Sequence, residues 1–500
     1  MNTNIFYQIE KNATEDNYLN EIAVTQINSS NKIKRISYRA LFSSSEKTSL
    51  ALLELGIKKN DKVYISIKSS IEFISIFLGC LKSGVIPIPG NPELSNNQTK
   101  HILNNSTPTL IITDTKINCE NLNFDHKYFS NKQWNIITNK VKSKSIETCM
   151  SHISDIAFLI YSSGTTGLPK AIVHRHQSII NTVFLHKNIL SLKIKDKIFT
   201  TSKLFFAYAL GNNFFAPLLM GLNTIFNDAV VDPMNLSQII KEHEPKVVFS
   251  VPTVYRRLLK NSTTELKILF NVKYFISAGE RIPDKLYNKW LAAINSPLLN
   301  CYGTTETLAI VIATSPEKSK AGSTGKPITS IKTKLIKNNG EESNNKGVLH
   351  IKHHSFSQSY LDNKEKTLKT FNNGWINTGD IWSITNNYWY YQGREDDLIK
   401  VASKWVNPKE LETEASKINN VIDSFCITAE SKEGTHRLAL FLYIKTSKDQ
   451  NLIIRQVKDK ISYLPKYKQP YWIKTITDVP QTATGKIRRN DLKNLIERNI

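Results

Sequence analysis

Between Tyr38 and Thr113 the apolar positions switch between two spacings. Residues 38–55 carry them at helical intervals, and the pattern stops at Gly56. VYISI (63–67) follows an Asn60-Asp61 turn signal and predicts a short buried strand. IEFISIFLGCL (71–81) predicts a helix, VIPIP (85–89) an edge segment and TLIIT (109–113) another strand. Strands separated by helices need crossover connections, so the expected sheet is mostly parallel. The rhythm returns with IAFLIY (156–161), a helix near 177–190, KVVFSV (246–251), VKYFIS (272–277) and PLLNCY (297–302).

Residues 325–393 change character. Gly, Asn and β-formers dominate, with candidate strands at 331–336, 347–352 and 387–392, which predicts an antiparallel, β-barrel-like section. After Arg394 helix and strand mix again: helices over 407–417 and 451–462, strands over 421–429 and 436–445. Residues 115–150 are rich in Lys and Asn and read as a variable loop region. The expected fold class is α/β: a large N-terminal domain of mostly parallel sheets with the barrel-like section, then a small α+β C-terminal domain.

Composition changes this picture little. A chain of 500 residues exceeds one simple core, and 40% apolar with 22% charged residues is ordinary for a globular protein. The first twenty residues lack the basic-then-apolar build of a signal peptide. No apolar run reaches the roughly 18 residues that a membrane helix needs. The best candidate, 71–90, is broken by Glu72, Lys82, Gly84 and two prolines, so we expect a cytoplasmic protein with no membrane insertion. The five cysteines are far apart, which fits reduced thiols better than disulfides or a zinc site. The net charge of +23 is spread along the chain without a basic block. That pattern speaks against a nucleic-acid face, although a positive field favours anionic ligands.

The strongest local signal is YSSGTTGLPK (161–170). A buried strand runs into Ser162, Ser163, Gly164, Thr165, Thr166 and Gly167, followed by Pro169 and Lys170. Small residues let backbone N–H groups approach phosphate oxygens, hydroxyls add donors, and Lys170 adds positive charge. The P-loop spacing of common nucleotide hydrolases is absent. Taken alone, the segment also suits an ordinary Gly-rich surface turn.

Further motifs follow in order: SAGE (277–280), YGTTE (302–306), TGD (378–380), GREDDLIK (393–400) and PQTATGKIRR (480–489). Together with 161–170 they resemble the adenylate-forming superfamily of acyl- and aryl-CoA ligases, adenylation domains and luciferases. The resemblance runs from about Arg35 to the last residue. KLFFAYALGN (203–212), SAGE and GREDDLIKVASKWVNP (393–408) are most similar to benzoate-CoA ligases.

The resemblance implies an ATP- and Mg²⁺-dependent acid–thiol ligase and gives each motif a role. Ser162 to Gly167 and Lys170 would hold phosphates. Ala278, Gly279 and Glu280 would edge the adenine, and Tyr302 would stack on it, a contact worth about 1–3 kcal/mol in comparable base stacking. Thr305 would reach the α-phosphate, and Glu306 would be the metal ligand. Asp380 would accept the ribose hydroxyls beside Arg394. The catalytic lysine would be Lys486, positioning the substrate carboxylate against the α-phosphate. Ala207, Tyr208, Gly303, Ala309 and Ile310 would form the acyl pocket. The implied domains are 1–394, the nucleotide- and acyl-binding part, and 395–500, a mobile lid carrying Lys486. Asp396 would be the hinge about which the lid turns, bringing Lys400 and Ser403 to a thiol tunnel for the second half-reaction.

Two positions depart from the benzoate-CoA ligase pattern. Ala402-Ser403 stands where Ser-Gly is usual, so Ser403 narrows the tunnel. Ala309 replaces a common histidine, which enlarges the pocket and makes it less polar, unless another wall residue fills the space. The implied partners are a small-molecule carboxylic acid and coenzyme A, and a homodimer is allowed. The alternative acceptor is the phosphopantetheine of an acyl carrier protein. A nucleotide-binding regulator with a dead site is disfavoured by intact Glu306, Asp380, Asp396 and Lys486.

Overall fold

A computed structural model describes the chain except residues 1, 118–121, 143, 163–168, 229–232, 261–262, 295, 397–398, 402–403, 431–435, 446–448, 481–490, 493–494 and 497–500. The chain forms two compact units. The first comprises Met1–Ile282, Leu286–Thr333 and His350–Thr378; the second comprises Pro283–Lys285, Lys334–Leu349 and Gly379–Ile500. This grouping follows packing, whereas the division after Arg394 implied above concerns movement.

The first unit holds a nine-stranded sheet. Six of its strands, Ile22–Ile27, Asn223–Asn227, Lys197–Thr200, Val247–Ser250, Tyr274–Ser277 and Leu298–Tyr302, pair in parallel in that spatial order. Antiparallel strands flank them: Ile33–Ser37 at one edge, Ile312–Ala313 and Lys326–Pro327 at the other. The strands read at 246–251, 272–277 and 297–302 are therefore neighbours, as the crossover pattern predicts. A second sheet, in the order Ile86–Pro89, Lys62–Ser66, Leu110–Thr113 and Lys127–Ser130, is parallel throughout. Ile86–Pro89 lies at its edge, where Pro87 and Pro89 cost no ladder bond.

The helices expected over 38–55 and 71–81 are Tyr38–Glu54 and Ile71–Lys82. Phe77, on the second, meets Phe158, Phe214 and Phe215 with ring centroids 5.3–5.8 Å apart. This aromatic cluster joins that helix to the strand Ile156–Ser162 and to the turn over Leu210–Phe215.

Three expectations need correction. The strand at 156–161 is not part of a parallel crossover. Ile156–Ser162 pairs antiparallel with Lys170–Arg175 as a separate hairpin. Only 163–169 lie between these strands, whereas a parallel crossover needs about a dozen residues or more. The helix near 177–190 is two short pieces, an α-turn His176–Ile180 and a π-turn Leu185–Ile189. Residues 115–150 are not simply loop: they contain Lys127–Ser130 and the helix Asn131–Lys140. Ser130 and Gln133 cap that helix reciprocally, and Trp134 is buried beneath it.

The second unit is built on the three-stranded sheet Val421–Glu430, His436–Ile444 and Trp472–Ile476. Helices Pro408–Ala415 and Gln450–Ile461 pack with Leu438, Leu440 and Leu442, while Phe425, Phe441, Leu492 and Ile496 form a second cluster. Alternate strand positions feed the two clusters, as the period of two requires. Within the piece Lys334–Leu349 of this unit, Leu335 and Ile336 pair antiparallel with Ser343 and Glu342. Among the described residues no helix is long and apolar enough to cross a membrane.

Candidate active site

The Gly- and hydroxyl-rich segment is framed by the hairpin, where Ser162 pairs with Lys170. Both ends of the loop are tied to one helix, Asn96–Ser106. Tyr161 donates to Asn105 Oδ1 at 2.7 Å, and His101 Nε2 donates to the Pro169 carbonyl at 2.9 Å. Ser163, Gly164, Thr165, Thr166 and Gly167 themselves lie outside the described residues.

The strand Leu298–Tyr302 delivers the YGTTE segment at the carboxyl end of the parallel sheet, where open α/β sheets place their ligands. Tyr302, Thr305 and Glu306 are half-buried. At the end of the neighbouring strand Tyr274–Ser277, Ala278 is buried, Gly279 exposed and Glu280 half-buried. The turn after Thr304 is set by Thr307, whose hydroxyl accepts from Thr304 N–H at 3.0 Å and donates to the Ala309 carbonyl at 2.9 Å. Leu308 then takes φ 58°, a left-handed conformation uncommon for its residue type.

That turn presses backbone carbonyls against two glycines. A Cβ on Gly211 would come within 2.0 Å of the Leu308 oxygen, and one on Gly303 within 2.5 Å of the Ala309 oxygen. No side chain fits at either place, and the close approach brings 207–212 together with 303–310. Ala309 and Ile310 are buried there, while Ala207 and Tyr208 are half-buried. Tyr208 donates to the Ile276 carbonyl at 3.4 Å, and desolvation pushes its phenol well above the usual range, so it stays neutral. His186 is fully buried, its Nε2 donating to the Asn212 carbonyl at 2.7 Å and its ring stacked on Phe249.

Glu306 sits in a network of its own. Tyr360 donates to its Oε1 at 2.8 Å, and Lys170 Nζ lies 5.1 Å from the centroid of the Tyr360 ring. Ser357 N–H donates to the Glu306 carbonyl at 3.1 Å. One residue earlier, the Thr305 carbonyl accepts from His174 Nε2 at 2.8 Å. His174 is fully buried and stacked on Phe158 at 4.8 Å. Desolvation lowers its pKa to about 4, against the opposing pull of the Thr305 carbonyl and the Glu306 charge. A neutral ring donating from Nε2 follows, since a carbonyl only accepts.

In the second unit Asp380, on the strand Trp375–Thr385, pairs opposite Arg394, on the strand Tyr388–Arg394. Arg394 reaches Asp380 Oδ1 through Nη1 and Asp396 Oδ2 through Nη2, both at 3.6 Å. Tyr391 donates to Asp380 Oδ1 at 3.4 Å. Asp380 is buried, whereas half of the Asp396 side chain is exposed. Lys400 lies on a short hairpin, opposite Trp405. Its side chain, with Ser403 and Lys486, is outside the described residues.

The family model for AMP-binding enzymes matches residues 10–361 of this 500-residue chain. The chain belongs to the AMP-binding enzyme family. Its similarities place it in the aryl-CoA ligase branch, whose members are AMP-forming acid–thiol ligases. It is 28% identical to the 3-hydroxybenzoate–CoA ligase of an Aromatoleum species, over 93% of this chain and 92% of the relative. It is 29% identical to the benzoate–CoA ligase of Thauera aromatica, over 88% and 87%. A solved benzoate CoA ligase from Burkholderia xenovorans superposes with a TM-score of 0.87 at 25% identity, covering 99% of this chain and all of that one. These matches agree with the large N-terminal α/β region and the C-terminal α+β section.

Sequence reasoning did not single out His174, His186 or Tyr360 in this AMP-binding enzyme. His174 and Tyr360 lie 131 and 54 residues from the motif residues that they hold, so no local spacing announces them. His101 and Asn105, which frame the loop, were missed for the same reason.

Proposed function

We propose that the protein activates an apolar aryl or medium-length acyl carboxylic acid with ATP and then transfers the acyl group to the thiol of coenzyme A. The first half-reaction joins the substrate carboxylate to the α-phosphate and releases pyrophosphate; the second releases AMP as the thioester forms. The close approach of 207–212 and 303–310, beside Thr305 and Glu306, carries this reading. It supports a pocket without acidic residues, next to the groups that face the nucleotide. An amino acid's ammonium would be buried there unpaired, at a cost of several kcal/mol.

In this reading Ser162 to Gly167 and Lys170 cradle the phosphates, while Ala278, Gly279, Glu280 and Tyr302 receive the adenine. Asp380, buried and held by Arg394 and Tyr391, receives the ribose diol. Among the described residues no three or more His, Cys, Asp or Glu side chains are grouped to hold a metal. A lone carboxylate fits Mg²⁺ that arrives on phosphate oxygens and keeps its waters, so Glu306 suits a metal borne by ATP. Magnesium would neutralise charge on the phosphates as pyrophosphate departs. Lys486 would hold the substrate carboxylate against the α-phosphate. Residues 395–500 would then turn about Asp396, bringing Lys400 and Ser403 to the thiol.

A pyrophosphate-exchange screen tests the first half-reaction. Benzoate-like acids should give higher specificity constants than 4-hydroxybenzoate or any amino acid; preference for an amino acid would overturn the proposed pocket. AMP release is then measured with free coenzyme A and with a phosphopantetheinylated carrier protein. Turnover with the carrier alone would transfer the acceptor role to it.

Lys486→Ala should abolish adenylate formation yet spare thioester formation from pre-made acyl-adenylate, because its charge acts only when carboxylate and phosphate meet. Equal loss in both half-reactions would remove Lys486 from that role.

A further inference from the structure

Glu306 carries two carboxylate oxygens, and Oε1 is engaged by a phenol arriving from a distant segment. Tyr360 is 6% exposed and follows residues that run beside the strand Lys170–Arg175. Val173 N–H donates to the Ser359 carbonyl at 3.2 Å, and Leu361 N–H donates to the Ala171 carbonyl at 3.0 Å. The ring is therefore held from both sides along its own chain. Its face lies under the Lys170 ammonium and its hydroxyl meets Glu306, so one side chain touches the last residue of the loop frame and the motif carboxylate. A cation on the ring face withdraws electron density and makes the phenol a better donor.

We propose that Tyr360 is a positioning residue: its hydroxyl fixes the Glu306 carboxylate so that Oε2 stays oriented toward the metal carried by the nucleotide. This rests on the reading of Glu306 as the metal-facing carboxylate. A ligating carboxylate that swings freely loses part of its affinity to rotamer entropy, and outer partners of metal ligands typically matter by about 10–100-fold. Tyr360 touches neither substrate nor metal in this arrangement. The hydroxyl acts through Glu306, while the ring keeps its separate contact with Lys170.

The test uses the full-length enzyme with a non-cleavable α,β-methylene ATP analogue and Mn²⁺, whose binding is followed by electron paramagnetic resonance. Tyr360→Phe keeps the ring under Lys170 and removes only the donor. It should weaken Mn²⁺ binding at least tenfold, while the adenylation rate recovers at high Mg²⁺. Glu306→Gln should weaken Mn²⁺ binding as well, and adding Tyr360→Phe to it should have no further effect. A purely structural role for Tyr360 would instead lower the melting temperature and act equally in both backgrounds. Unchanged Mn²⁺ affinity in Tyr360→Phe, with a clear loss in Glu306→Gln, overturns the inference and leaves the metal reading standing. Unchanged affinity in Glu306→Gln overturns both. The paired variants give an answer even if Tyr360→Phe costs some stability, because the comparison reads coupling.

Discussion

At the residue scale, the proposed acyl site depends on where side chains are absent. Gly303 faces the Ala309 carbonyl so closely that even a methyl group must displace the turn carrying Thr305 and Glu306. Gly303→Ala should cost about 1–3 kcal/mol as an overpacked contact, a loss of a few degrees in melting temperature. Specificity constants for every acid should fall together, because the turn moves as a unit. Pyrophosphate-exchange kinetics across several acids check this, and loss confined to bulky acids would mean that Gly303 only limits pocket size. The role proposed for YGTTE came from the resemblance of the segment to a family motif, and the carbonyl contacts behind Gly303 and Gly211 were not legible in the sequence. They depend on the Thr307 hydroxyl and on the left-handed Leu308, neither of which leaves a pattern in the chain.

Among the elements, strands and helices with strong periodicity were legible to within a residue or two. Lys62–Ser66, Ile71–Lys82 and Val247–Ser250 are examples, because burial on one or both faces fixes which positions are apolar. The hairpin of Ile156–Ser162 differs from the expected crossover because a strand buried through its middle carries no mark of its partner's direction. Here the connection length held the information. The helix Asn131–Lys140 was hidden by its composition, since Lys and Asn mask a short amphipathic face with a single buried tryptophan. Its Ser130-x-x-Gln133 cap was the available signal. The two π-turns, Leu185–Ile189 and Leu210–Phe215, break helical spacing by one residue each, which disguises helices of this length.

For the whole molecule, buried histidines make stability depend on acidity. His174, His176 and His186 each have a pKa lowered from 6.5 to about 4, chiefly by desolvation. Folded protein therefore binds fewer protons than unfolded chain between those values. Stability present above pH 6.5 should be lost as pH falls and level off near pH 4, with each histidine contributing about 1.4 kcal/mol per pH unit inside that window. His176 adds a local reason, because its Nδ1 accepts from Ile5 N–H at 3.1 Å and protonation would break that bond. Thermal melts from pH 7.5 to 4 check the slope. His186→Gln should make it shallower, and an unchanged slope would show that other groups govern acid unfolding.

The pressing of carbonyls on Gly211 and Gly303 also restricts how this enzyme can diverge. One wall of the proposed pocket is main chain, and main chain is not rewritten by a point mutation. A lineage seeking a new acid is left with the side chains that surround the wall, among them Ala207, Tyr208 and Ala309. Substrate range should thus drift by small steps at a few sites, while the glycines stay fixed if, as expected, their replacement lowers activity toward every acid.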